Sequence, residues 1–212
     1  MKLRLILSMC VVAGLAYAGN AAADPAKLKG DYAFSGAASC LNSIPSAVAP
    51  GGFEPDFTAV DLSRQFMTTF AAEGVRTFNG DGTGSVKGST LSITEPPTPG
   101  HPGPYTCPGC FPPGASSQTF TFNFTYTVNS DDTWTTTMVP GSFSGLVLTG
   151  PRTGQTFTNT VPPLVGLIGK ERKSLTVASL TPAVEAVVFN NGDTFTRICH
   201  RSRVLIQMDK DK

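Results

Sequence analysis

The clearest pattern in the chain is QTFTFNFTYTV, residues 118–128. Phe120, Phe122, Phe124, Tyr126 and Val128 fall on one face of this segment. Thr119, Thr121, Asn123, Thr125 and Thr127 fall on the other. Side chains of an extended chain alternate between two faces, so this period of two predicts a strand with one dry and one hydroxyl-lined side. Runs rich in Thr, Ser, Phe and Val recur along the chain, broken at roughly eight- to twelve-residue intervals by Gly, Asn, Asp or Pro. They predict further strands at 30–38, 67–78, 83–94, 133–139, 142–149, 155–160, 174–180, 185–190 and 194–207. Almost nowhere does an apolar repeat of helical period persist.

Short polar turns join several of these segments. Ser130-Asp131-Asp132 follows the aromatic strand, and Asn190-Asn191-Gly192-Asp193 precedes the last one, Asn-Gly being a strong hairpin signal. The stretch FNGDGTGSVKG, residues 78–88, reads either as a calcium loop or as a hairpin turn. A calcium loop needs flanking helices and a bidentate Glu at its twelfth position, and counting from Asn79 that position is Thr90. Strand-like flanks therefore favour the hairpin, with Asp81-Gly82 as a type I′ pair.

Two segments depart from a meander. Residues 42–65 are irregular, and Asp61-Leu62-Ser63-Arg64 could form one helical turn there. Residues 95–117 are so loaded with Pro and Gly that they predict one long loop. The expected fold is all-β: an antiparallel up-and-down barrel of about eight to ten strands, closed so that no sheet edge is left open. An outer-membrane barrel is the architectural rival, but the chain ends QMDKDK rather than on an aromatic residue, and hydroxyl-rich faces such as Thr133, Thr135 and Thr137 are poor lipid contacts.

Composition and the first residues set the compartment. Lys2 and Arg4 precede an apolar run from Leu5 to Ala18, and A-x-A motifs end at Ala18 and Ala23. This is the pattern of a signal peptide over residues 1–23, too short for a permanent membrane helix. The expected product is a single domain over residues 24–212 that is periplasmic or secreted and does not span a membrane. Residues 1–23 hold Lys2 and Arg4 and no acid, so their removal takes the formal charge from +1 to −1. Such a balance offers no electrostatic footprint for nucleic acid. Cys40, Cys107, Cys110 and Cys199 remain, an even number that predicts two disulfides in an oxidising compartment. The favoured pairs are Cys107–Cys110 within the loop and Cys40–Cys199 across the fold.

Taken in order, GDYAFSG, FNGDGTGSVKG, TFNFTYTVNSDDTWTTT and GSFSGLVLTG resemble the bacterial secreted lipocalin-like, or calycin-type, barrels. Allene oxide cyclase and dirigent barrels look similar at this level. Gly30-x-Tyr32 echoes the lipocalin Gly-x-Trp, with Tyr32 in place of Trp. The resemblance covers residues 30–207 and implies a ligand-binding barrel, and it carries over no catalytic residue.

The remaining chemistry is sparse. Cys107-Pro108-Gly109-Cys110 lacks a following helix for redox work and a following His for haem, so a loop-pinning disulfide is preferred to a zinc site completed by His101. His200 reads as a satisfied or partly exposed imidazole rather than a general base. No nucleophile, metal, phosphate or dinucleotide motif is present, and no cofactor or metal is called for. Hydropathy assigns the side of the last strand bearing Ile198, Val204 and Ile206 to the interior, leaving Arg197, Arg201 and Arg203 as an exposed basic stripe. Facing inward, they would instead make an anion pocket. Phe120, Phe122, Phe124, Tyr126 and Trp134 are the expected wall of a site for a small hydrophobic ligand. The function expected is therefore binding of a small apolar ligand, or of a partner through the loops. A cyclase- or isomerase-like barrel enzyme and a surface-interaction protein are the alternatives, the enzyme requiring His200, an arginine or Glu185 to point into the lumen.

Overall fold

The structure, a computed structural model, describes residues 28–45, 52–61, 65–95 and 114–209. Residues 1–23, Cys107, Cys110, His101, positions 62–64 of the expected helical turn and 96–113 of the expected loop lie outside the described residues. Among the described residues eleven antiparallel strands form one sheet that closes in a ring. Five are long: β1 (Lys29–Ser43), β2 (Gln65–Asn79), β3 (Thr83–Glu95), β4 (Gly114–Val128) and β11 (Thr194–Gln207). Six are short: β5 (Thr133–Met138), β6 (Ser144–Val147), β7 (Thr156–Asn159), β8 (Leu164–Leu167), β9 (Ser174–Ala178) and β10 (Val184–Phe189).

Pairing shows how the short strands fit together. β4 holds β5 along 124–128 and β6 along 118–121, so these two lie end to end beside one neighbour. β11 likewise holds β9 along 202–206 and β10 along 194–198. Between them, β7 bridges β6 to β10, and β8 bridges β5 to β9. Three staves of the wall are thus each two short strands, and eleven strands make an eight-stave up-and-down barrel. The interruptions fall at 139–143, 160–163 and 179–183, where Pro140, Pro162, Pro163 and Pro182 stand. Proline has no N–H to give a ladder, so a strand passing through these positions loses its pairing. β8 is a strand that the alternation pattern did not predict, because four mostly apolar residues beside two prolines carry too little periodicity. The expected loop is also shorter than its composition indicates, since Glu95 and residues 114–117 are in β3 and β4.

Closure joins the first strand to the last. Tyr32 faces Gln207 and Ser43 faces Thr196, with Cys40 directly opposite Cys199 in a disulfide. The bond links residues 159 apart in sequence. Crosslinking over such a span restricts the unfolded chain strongly, and replacing both cysteines by Ala should cost about 2–4 kcal/mol in guanidinium unfolding. An unchanged midpoint would mean that strand pairing alone fixes the closure.

The 78–88 stretch is a hairpin between β2 and β3. Its type I′ assignment is corrected: positive φ falls on Gly80 (85°) and Gly82 (90°) and not on Asp81. The Asp81 carboxylate accepts from the Thr83 amide at 2.9 Å and hydroxyl at 2.6 Å, while Asn79 donates to Thr83 at 2.9 Å. The β4–β5 turn repeats this arrangement with Asn129, Asp131 and Thr133.

One half of the barrel is solid. Phe78 lies at its centre, with ring centroids of Tyr126 at 5.0 Å, Tyr32 at 5.2 Å, Phe124 at 5.4 Å and Trp134 at 5.7 Å, all edge-on. The polar tips of this aromatic plug reach backbone oxygens: Trp134 Nε1 donates to Thr176 at 3.0 Å and the Tyr32 hydroxyl to Arg172 at 2.8 Å. Small residues make room for the rings. Above the plug, a Cβ added to Gly88 would meet the Glu73 carbonyl oxygen at 2.6 Å, Phe120 at 2.8 Å and Phe34 at 2.9 Å, closer than such atoms approach. Alternating large and small inward residues is how a narrow barrel fills its taper.

Candidate functional site

The other half of the barrel is not filled. Seven phenylalanines follow one another around its wall: Phe122, Phe120, Phe143, Phe157, Phe189, Phe195 and Phe66. Successive centroids are 5.5 to 6.3 Å apart, so the rings form a continuous collar from β4 round to β2. The remaining wall, on β2, β3 and β4, is polar, with Thr68, Thr90, Ser92, Ser116 and Gln118 facing in. Ser92 and Ser116 share a hydroxyl hydrogen bond at 2.8 Å, and Gln118 donates to both. These walls enclose a cavity with about 100 Å³ open to the centre of a water-sized molecule. One water needs roughly 10–15 Å³ on that measure, so several waters or a small organic molecule fit.

The residues read from the sequence as a ligand wall divide between the two halves. Phe120 and Phe122 line the cavity. Phe124, Tyr126 and Trp134 belong to the plug, where packing leaves them no open space to face. A single alternating strand therefore serves both halves, and alternation alone cannot say where the filling stops.

The last strand faces the opposite way from its hydropathy. Val204 and Ile206 are 51% and 53% exposed on the outer wall, and His200 is outside with them. Arg197, Arg201 and Arg203 line the lumen, so the exposed basic stripe is corrected to an internal one. The parity of the strand carries the reason: Phe195, Cys199 and Leu205 are buried on the arginine side, and burying them takes the arginines inward. Arg76 of β2, which no sequence pattern singled out, joins the group from the side of Phe66, Phe70 and Phe78.

Four guanidinium groups and one carboxylate thus meet inside the barrel. Glu185 of β10, fully buried, is paired in bidentate fashion with Arg201, and Arg197 Nε donates to it at 3.0 Å. Arg76 is 2% exposed, and its guanidinium lies 4.5 Å above the Phe124 ring and 5.5 Å from Trp134. Its Nη1 is buried without a hydrogen-bond partner among the described residues. Arg203 is partly open to the cavity and lies over Phe34 at 5.3 Å. Burial, helped by the charge of Arg203, pushes Arg76 down to about 9, and burial, helped by the charge of Arg201, pushes Arg203 down to about 10. Both remain cationic at neutral pH. Among the described residues no three His, Cys, Asp or Glu side chains gather as a metal site.

No protein-family model and no curated relative matches the chain. Among solved structures it is similar to the enduracididine biosynthesis enzyme MppR with HEPES buffer bound, at 12% identity over 86% of this chain and 88% of that one. The TM-score is 0.19, too low to carry an argument about fold or activity. The reading of the site therefore rests on its own geometry. No helix among the described residues is long and apolar enough to cross a membrane. The Cys40–Cys199 bond is of a kind that persists in oxidising compartments.

Proposed function

We propose that the protein is an exported, lipocalin-like carrier that holds a small, largely apolar ligand inside the phenylalanine collar. The observation that supports this most is the contrast between the halves of one barrel. Phe78 and its neighbours fill the lower lumen completely, whereas the same strands surround open space lined by seven rings above it. An eight-stave barrel can be filled by its own side chains or keep room for one small ligand, and this chain does each in one half. Aromatic surface left facing a void gains free energy when a molecule displaces water from it.

Arginines that face the lumen meet the first condition of an enzyme reading, but proton transfer also needs a free acid or base. Glu185 is the one buried carboxylate among the described residues, and both its oxygens are occupied by arginines. It serves as a counter-ion, which favours the carrier. The test is fluorescence titration with the neutral dye N-phenyl-1-naphthylamine. Saturable one-to-one binding is expected, weakened at least about ten-fold by Ser92→Phe, which fills the lumen from β3. Absence of saturable binding would contradict the carrier.

A further inference from the structure

We propose that the ligand carries an anionic head group, a carboxylate or a phosphate, which lodges against Arg76 and Arg203 on the floor of the cavity while its apolar part lies along the phenylalanine collar. This rests on the carrier reading above and adds to it the chemical class and orientation of the occupant.

The charge inventory of the lumen carries the proposal. Glu185 serves Arg201 with both oxygens and Arg197 with one, and neither Arg76 nor Arg203 is among its partners. The side chains of Arg76 and Arg203 make no ion pair or hydrogen bond among the described residues. Taking an unpaired cation out of water costs several kcal/mol, even after relaxation of the surroundings. Ring faces of Phe124, Trp134 and Phe34 offset part of that cost, since cation–π contacts contribute about 2 kcal/mol when desolvated. They leave the N–H donors at the guanidinium edges unsatisfied, and the Nη1 of Arg76 is one of them. A planar fork of donors with no acceptor fits two oxygens of a carboxylate or phosphate.

Position gives the orientation. Arg76 touches the plug through Phe124 and Trp134, and it also lines the cavity, so it stands where the filled half meets the open one. The collar begins on the far side of the arginines, at Phe122 and Phe120. An amphipathic anion entering from the open half therefore meets aromatic surface along its length and cationic groups at its end. The hydroxyl wall of Thr90, Ser92 and Ser116 can accept or donate a hydrogen bond along one side of it.

Calorimetric titration of the purified full-length barrel with octanoate, octyl phosphate, octanol and inorganic phosphate tests this. Octanoate or octyl phosphate should bind at least about ten-fold more tightly than octanol, the stronger of the two identifying the head group. Arg203→Met should remove that preference, so that the anions bind no more tightly than octanol. Arg76→Met should do the same, and Arg76→Lys should keep part of the preference, because it retains the charge and loses the fork. Equal binding of octanol and both anions would overturn the inference and leave the carrier standing. Binding of inorganic phosphate but of no octyl compound would keep the anion site and overturn the carrier. No binding by any probe would overturn both.

Discussion

Replacing Glu185 by Gln is expected to destabilise the barrel by about 3–5 kcal/mol, the cost of removing one partner from a buried ion pair. Gln keeps the shape and leaves the lumen with four arginines and no acid. The carboxylate lies between Arg201 and Arg197 in the interior, where few water molecules can take over its role. Chemical unfolding of wild type and variant at neutral pH measures the loss. The companion triple variant, Glu185→Leu with Arg197→Met and Arg201→Met, should recover most of it, because apolar side chains replace the whole cluster and none of its charges is left alone. A loss below about 1 kcal/mol in the single variant would be the value of an exposed pair, and it would place Glu185 outside the lumen.

The second large effect belongs to the plug. Phe78→Ala should cost about 3–5 kcal/mol, since it leaves a hole that four surrounding rings cannot close. Tyr32, Phe124, Tyr126 and Trp134 all pack edge-on against Phe78, and each is fixed from behind by its own strand. Phe143→Ala in the collar should cost less than half as much. Phe143 already borders the cavity, so fewer contacts are lost when its ring goes. Thermal and guanidinium unfolding of the two variants side by side checks the contrast. Equal losses would mean that both halves of the barrel are packed alike, and the lumen would lose its claim to be a binding site.

These effects arise from a fold that was largely legible in the residues. Period-two runs located ten of the eleven strands, and Asn191-Gly192 with Asp81-Gly82 located two of the hairpins. Cys40 and Cys199 paired as expected, because each lies on an inward position of strands that meet at the seam. β8 was hidden by its length and its flanking prolines. The three broken staves were hidden for a related reason: a proline-bearing interruption reads as the end of a strand, and only the pairing shows that the chain resumes along the same neighbour.

The site was less legible than the fold. In RICHRSRVLI the even positions carry three branched aliphatic residues, Ile198, Val204 and Ile206, and the usual rule turns them inward. The signal that decides the matter lay in Phe195, two residues before that stretch, and in Leu205 and Cys199 within it. Phe195 and Leu205 share parity with the arginines, and Cys199 must face Cys40. Arg76 gave less warning still, although it alternates with Phe70 and Phe78 on the inner face of β2. A cation at a core position violates the pattern, and such violations concentrate where a protein binds something.

The most direct measurement is a crystal structure of the barrel grown with octanoate. The account predicts a carboxylate within hydrogen-bonding distance of both Arg76 and Arg203, with the alkyl chain against Phe120 and Phe122. A lumen closed by side chains, or arginines turned to the outer wall, would contradict it.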